Sequence, residues 1–451
     1  MRELRLVPAA LTVWLCVLLP WWGVIPAPGA VVVAGAFLLA SKPAMAALSG
    51  MSGFLVWLRV YLQSTYVPDG TVLAQILSAP RQTKTGRWIA TVEIDEHRFT
   101  VLSKDPLGTN DLYRMDVSLI EDASGTLLRA SNVSLVEQRT TWSEAVKDIF
   151  LEAVVRFGGG EGLIPGMVVG DTRLQSPSDQ TVYTLTGLSH LSAVSGSNVA
   201  IVLATVAIVA AKLNHHLRLG LCALALLGFV FLVGPEPSVL RAGVMGAVGL
   251  VAVLFHSRME PIHALSLAVI LLLFVDPELG RHYGFALSVA ATAGIIGLYP
   301  AFLPAFSRLP AIVARALAVT IAADIVTQPI IAMMSGRISF VSVSCNMLAA
   351  PLVPVVTVLG MLACILSLIP GNFEALPLLI CRCCAWWIDL VANTAFSLPM
   401  ANVELGMGFI SIFWATMLAL WVHAILWGIT RKKKAGPEGP AIDKGLVNKQ
   451  D

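Results

Sequence analysis

The sequence predicts an all-α polytopic membrane protein of about twelve transmembrane helices, with a small inserted all-β, OB-like extracytoplasmic domain. Three observations carry that prediction. Hydrophobic residues make up 57% of the 451 and charged residues only 13%, about half the charged share of a soluble globular domain. Apolar runs near 20 residues recur along most of the chain, long enough at about 1.5 Å per residue to cross a hydrocarbon core of roughly 30 Å. One polar stretch with short β-rich runs and turn residues interrupts them near the N-terminus.

Residues 1–63 hold three apolar runs, roughly 6–22, 24–41 and 44–63. The first starts at Leu6 after Arg2 and Arg5, as a signal peptide does. A second run follows Trp21 and Trp22 with no clear small-residue cleavage site, so the first reads as a retained span. Residues 64–142 form the polar domain. Its β-rich runs at 71–78, 88–94, 98–103, 112–119 and 127–135 are separated by Pro80, Gly86, Asp95, Gly108 and Gly125. Five short strands with turns between them suggest a small OB-type barrel.

Residues 143–181 form a connector. Apolar positions at helical spacing over 143–157 suggest an interfacial helix, which Gly158, Gly159 and Gly160 then break. From 182 to 430 about nine further apolar runs follow, near 182–211, 219–234, 238–256, 262–275, 284–303, 309–335, 338–369, 376–398 and 406–430. The run at 338–369, interrupted by Pro351 and Pro354, is one bent span or a re-entrant pair. Residues 431–451 form a basic tail.

Short-loop lysines and arginines are retained on the cytoplasmic side. Arg2, Arg5, Lys42, Lys212, Arg218, Arg258, Arg308, Arg382 and the run Arg431–Lys434 all lie inside if the N-terminus does, with Arg281 and Arg337 as exceptions. Both termini are then cytoplasmic and the β-domain lies outside. Net charge is only +2, so bulk electrostatics exclude no class of partner. The seven cysteines all fall in apolar segments and read as packing residues; Cys381, Cys383 and Cys384 lack the nearby histidine or second CxxC of a zinc site.

The chemistry concentrates at 186–199, where residues 187–199 hold eight polar or glycine positions in thirteen. Thr186, His190 and Ser197 share one helical sector, Ser189 and Gly196 the next, and Ser192, Ser195 and Asn198 the remainder. Unsatisfied hydroxyls, amides and imidazoles cost several kcal/mol in hydrocarbon, so this segment packs against protein or lines water. Asp324 and Gln328 stand one turn apart within an apolar run. A midplane carboxylate costs about 2.5–3.5 kcal/mol to insert, so Asp324 faces a partner or water and serves pairing or a proton relay. Arg241 is placed to meet phosphates, or to anchor its span and pair with Glu236. Asn346 sits beside Pro351 and Pro354, where a helix break is expected. His215 and His216 read as solvated loop residues.

The stretch GLSHLSAVSGSNV, with Gly170 and Asp171 upstream, resembles the signature of the ComEC competence family. PSVLRAGVM (237–245), DPELGRHYGFALSVAA (276–291) and SGRISFVSVSCNMLAAPLVP (335–354) are similar to further elements of that family in its order, so the resemblance covers roughly 160–400. It implies that 182–430 is a competence-type channel domain in the bacterial plasma membrane, passing single-stranded DNA inward during transformation. By the resemblance, Asp171, Ser189, His190, Ser192, Ser195, Asn198, Arg241 and Asn346 would line the DNA path, with Asp324 and Gln328 as intramembrane polar residues. Single-stranded DNA and membrane lipid are the expected partners, together with an outside DNA receptor and a cytosolic helicase-like ATPase, and the sequence is compatible with an oligomer and fixes no copy number. The β-domain is less supportive: over 66–137 seven basic residues face ten acidic ones, net −3, leaving only a local patch at Arg81, Lys84, Arg87 and Trp88 to grip a strand.

Many family members carry a metallo-β-lactamase-like domain. This sequence has no HxHxDH cluster and no GxxxxGK[ST] loop, so no cofactor is expected and energy would come from a partner. Two other readings stand beside the channel: a small-solute secondary transporter using Asp324, and a phosphodiesterase using His190 and Asp171.

Overall fold

The computed structural model describes residues 6–18, 43–63, 68–77, 80–82, 86–95, 97–108, 111–120, 127–137, 141–158, 162–192, 194–255, 260–398 and 402–404, with 412, 413, 416, 417 and 420. The expected span at 24–41, most of the span at 406–430, the basic tail, Lys84 and Arg258 lie outside these residues.

Helices α1 (Val7–Leu18) and α2 (Pro43–Gln63) open the chain. Val13 and Val17 of α1 pack with Val56 of α2 and with Val269, Leu272 and Phe285 much later in the sequence. The Trp14 Nε1 donates to the Gly280 carbonyl at 2.9 Å, so the N-terminal pair docks on the helical domain.

The polar domain holds β1 (Gly70–Ile76), the two-residue β2 (Arg81–Gln82), β3 (Trp88–Ile94), β4 (His97–Ser103), β5 (Leu112–Ile120) and β6 (Leu127–Glu137). Alternate residues point inward, as a period of two requires: Ala90, Val92 and Ile94 on β3 and Tyr113, Met115 and Val117 on β5 fill one core. Pairings run β1–β5, β5–β6, β6–β4, β4–β3 and β3–β1, so five strands close into a ring and only the β4–β6 pair is parallel. Closure leaves no long open edge. Asp95 takes a positive φ of 49° at the β3–β4 turn, a conformation Asp tolerates better than most residues.

The connector contains α3 (Trp142–Gly158) and the short, wholly buried α4 (Leu163–Val169). Beyond it come α5 (Pro177–Leu185), α6 (Gly196–Val209), α7 (His215–Val233), α8 (Pro237–Leu254), α9 (Pro261–Val275), α10 (Tyr283–Phe302) and α11 (Ala311–Ser335). Then follow β7 (Arg337–Ser339), α12 (Ser342–Ala349), α13 (Val353–Leu366), α14 (Ala375–Phe396) and β8 (Asn402–Glu404), which pairs antiparallel with β7. His215 and His216, expected in a loop, instead form the first turn of α7, with their rings edge to face.

Among the described residues five helices are long and apolar enough to cross a membrane: α7, α8, α10, α11 and α14. The α12–α13 pair makes a sixth if its 50° bend is one broken span, and α1, α6 and α9 are shorter apolar helices. The protein is therefore mostly helical, with several membrane-length helices and a small strand-rich domain. These helices are apolar on both sides: α7 buries Leu226 and Phe229 and exposes Leu224 and Leu227, as a lipid-facing helix does. Close approach follows from small residues. A Cβ on Gly294 of α10 would come within 2.5 Å of the Ala322 carbonyl on α11, so these two helices touch backbone to backbone.

Two expected spans are broken. The run at 182–211 is not one helix; the chain unwinds between α5 and α6. The run at 338–369 breaks at residues 350–352, just where Pro351 removes an amide hydrogen and disfavours helix at the residue before it.

Candidate functional site

The unwound segment owes its path to caps at both ends. Helix α5 begins with Pro177 in its first turn and a capping box in which Ser176 and Asp179 satisfy each other's backbone amides. It ends at Gly187, whose φ is +76°. A side chain there would also meet Ser342 of α12 at 2.5 Å, so glycine is needed for two reasons. A 3-10 turn over Ser189–Leu191 follows, with the Ser192 hydroxyl donating to the Ser189 carbonyl at 2.7 Å.

Buried Leu188, Leu191 and Val194 pin the segment to the protein. Around these pins Ser189, His190 and Ser197 are exposed, and Ser192 and Ser195 are half-buried. Asn198 differs from them. It is buried, and its amide nitrogen donates to the Met167 carbonyl of α4 at 2.8 Å. Gln175, also buried, donates to the carbonyls of Gly162 and Ser192 at 3.2 and 3.0 Å. Asn198 and Gln175 are thus struts that satisfy buried carbonyls. Gln175 was not among the sequence candidates, and its role depends on contacts 13 and 17 residues away.

Gly187 joins the segment to a second set of expected residues. The Asn346 amide reaches the Gly187 carbonyl at 3.5 Å, three residues before His190. Ser342, packed against Gly187, donates to Asp324 at 3.1 Å, and Gln328 donates to both Asp324 oxygens at 3.2 Å. Asn346, Asp324 and Gln328 are therefore brought together around Gly187 and Ser342, in a polar region of α11 and α12 that meets the chain between α5 and α6 just before His190.

Arg241 stands on the other side of the segment. It is 7% exposed, donates from Nε to the Ser288 hydroxyl at 2.8 Å and contacts the Met245 sulfur at 3.2 Å. A pairing with Glu236 does not form: among the described residues no carboxylate lies at ion-pair distance from Arg241. A Cβ on Gly196 would overlap the Arg241 Nη2, so the guanidinium rests directly on the start of α6. The adjacent Ser238 hydroxyl donates to the Val194 carbonyl at 2.8 Å.

Asp171 takes its partners from the connector. Gly170, at φ +74°, ends α4 in the left-handed conformation, and the Asp171 carboxylate then grips Arg173 through Nε and Nη2 at 2.9 and 2.6 Å. Arg173 also bonds Asp148 of α3 at 2.6 Å. Hydrogen bonding to Asp171 raises the Arg173 pKa above its ordinary value. Lys147, one residue along, donates to the Val233 carbonyl at 2.9 Å, and burial pushes its pKa down. This cluster ties α3 to the end of α4 and to α7. Arg173 was missed in the sequence; the Asp-x-Arg spacing that allows a bidentate pair is the signal that marks it. Of the basic patch proposed on the β-domain, Arg87 and Trp88 are among the described residues, and Trp88 is half-buried on β3.

Residues 167–432 match the Competence protein family, more than half of the chain. The sequence is also 30% identical over 192 residues to ComE operon protein 3 of Bacillus subtilis (strain 168), a match covering 42% of this chain. The matched region spans only 24% of that relative's length. No solved structure matches. The broken polar segment, the Arg241 helix and the Asn346 helix all fall inside the matched range, and on that range the chain belongs to the Competence protein family, the ComEC family its motifs resemble.

Proposed function

We propose that this chain forms an inner-membrane conduit that carries single-stranded DNA into the cytoplasm during natural transformation. Membership of a competence family supports DNA uptake, and one structural observation supports the conduit itself. The apolar run at 182–211 unwinds within the membrane domain and exposes Ser189, His190 and Ser197 while burying Leu188, Leu191 and Val194. Irregular backbone at membrane depth is stable only against protein or water, and three exposed polar side chains favour water.

In this reading Ser189, His190, Ser192, Ser195 and Arg241 border the path, Asn198, Asn346 and Asp171 hold its wall, and Asp324 with Gln328 braces α11 against α12. Twelve spans with cytoplasmic termini place the strand ring outside. Reading that ring as an OB-type barrel is supported by its strand order, with β2 set aside, and by its single parallel pair. An outside receptor would deliver the DNA, a cytosolic helicase-like ATPase would draw it in, and more than one copy of the chain would be compatible with the same path.

A second reading, small-solute transport, is favoured by one feature, the half-buried Asp324 carboxylate within α11. Deleting the gene and scoring uptake of labelled DNA separates the two. Loss of uptake, restored by the wild-type gene but not by His190→Ala, supports the conduit. Undiminished uptake in the deletion strain removes it.

A further inference from the structure

The start of α6 has the makings of an anion seat. Ser195, its N-cap, is extended and caps no amide with its side chain. Among the described residues the Gly196 and Ser197 amides have no acceptor, so they form the positive end of a 14-residue helix. A helix start alone is no site, but Arg241 adds an independent reason for a ligand. Its Nε and Nη1 are occupied by Ser288 and Met245, whereas Nη2 has no acceptor among the described residues and lies against Gly196. The guanidinium is 7% exposed, is bonded by Ser288 and Met245 and has no carboxylate partner among the described residues, so its positive charge is not neutralised by the protein there. An anion at the same point offsets it. The Ser195 and Ser197 hydroxyls bond each other at 2.6 Å, which leaves the Ser197 hydroxyl able to donate to an anion when Ser195 supplies the hydrogen of that bond.

We infer that one phosphodiester seats on the first turn of α6, held by the Gly196 and Ser197 amides and the Arg241 Nη2. This deepens the conduit reading and rests on it, since the phosphodiester is taken to be that of passing DNA. The absence of a side chain at position 196 then has a function: a Cβ there would displace Nη2 from the seat. Asp324, the carboxylate of the neighbouring polar region, is engaged by Ser342 and Gln328 and does not oppose the anion directly.

A phospholipid headgroup presents the same chemistry, so the test separates the two sources. The full chain is placed in phosphatidylcholine nanodiscs, with and without phosphatidylglycerol, and binding of fluorescent oligothymidylate is measured across a salt series. Arg241→Gln is expected to weaken binding roughly tenfold or more, as loss of one charge-assisted hydrogen bond implies, and to lower the salt slope by about 0.7, while Arg241→Lys keeps the slope. Ser197→Asp guards against misfolding: a carboxylate in the first turn stabilises the helix yet repels phosphate, so it too weakens binding. Wild-type affinity in both Arg241→Gln and Ser197→Asp overturns the seat and leaves the conduit standing. Failure of the wild-type chain to bind oligothymidylate, with no Arg241-dependent response to phosphatidylglycerol, overturns both. An Arg241-dependent response to phosphatidylglycerol, with none to oligothymidylate, assigns the seat to lipid and overturns its assignment to DNA.

Discussion

Gly187→Ala is the substitution with the most to say about the site. Gly187 has a φ of +76°, which costs a residue with a Cβ about 1–2 kcal/mol. The new methyl would lie 2.5 Å from the Ser342 Cβ and 3.1 Å from its Cα, so backbone must move; overpacking of that kind costs about 1–3 kcal/mol. Together the change should destabilise by roughly 2–5 kcal/mol. Because the Gly187 carbonyl faces Asn346 and its neighbour Ser342 bonds Asp324, the shift also loosens the wall beneath His190. Thermal unfolding in nanodiscs measures the stability loss and labelled-DNA uptake the functional loss. Gly228→Ala, where a Cβ meets nothing within 4 Å, is the control and should cost neither. If Gly187→Ala melts and transports like wild type, the close packing of the unwound segment on α12 is wrong.

Further predictions follow from the same contacts. Asn198→Ala leaves the buried Met167 carbonyl without its donor and should cost about 1–3 kcal/mol; an unchanged melting temperature would mean that Asn198 is no strut. Asp171→Asn weakens a bidentate pair between a carboxylate 6% exposed and an Arg173 side chain 58% exposed, so it should cost about 1–3 kcal/mol, and an unchanged melting temperature would show that the pair carries no stability. On the β-domain, hydrogen bonds from Thr71 and Asn132 hold the Asp116 pKa below its usual 3.8. A depressed carboxylate stabilises the fold above its unfolded pKa and loses that contribution as pH falls through its folded pKa. Asp116→Asn should therefore narrow the difference in stability between pH 7 and pH 2, which acid titration followed by circular dichroism checks.

Much of this architecture was legible in the residues. Apolar runs gave α7, α8, α10, α11 and α14, and alternation with Gly86 and Asp95 gave the strands. What hydropathy missed was the unwinding near Gly187, because the composition of 182–211 remains apolar on average while the close packing of Gly187 on Ser342 comes from across the fold. The surroundings of Arg241 were hidden for the same reason: Ser288 lies 47 residues away on α10, whereas the expected partner Glu236 was only near in sequence. Asn198 looked like its polar neighbours in the motif, and only burial against α4 separates it from Ser197.

The account stands on the exposure of the unwound segment to water, and thiol labelling in folded protein measures that most directly. The described native cysteines are buried except Cys383, so a Cys383→Ala background suits single cysteines at positions 189, 190 and 197, with position 224 as a lipid-facing reference. A membrane-impermeant maleimide should label the first three, oligothymidylate should slow that labelling, and position 224 should stay unlabelled. Labelling at 224 with none at 189, 190 and 197 would contradict the aqueous path.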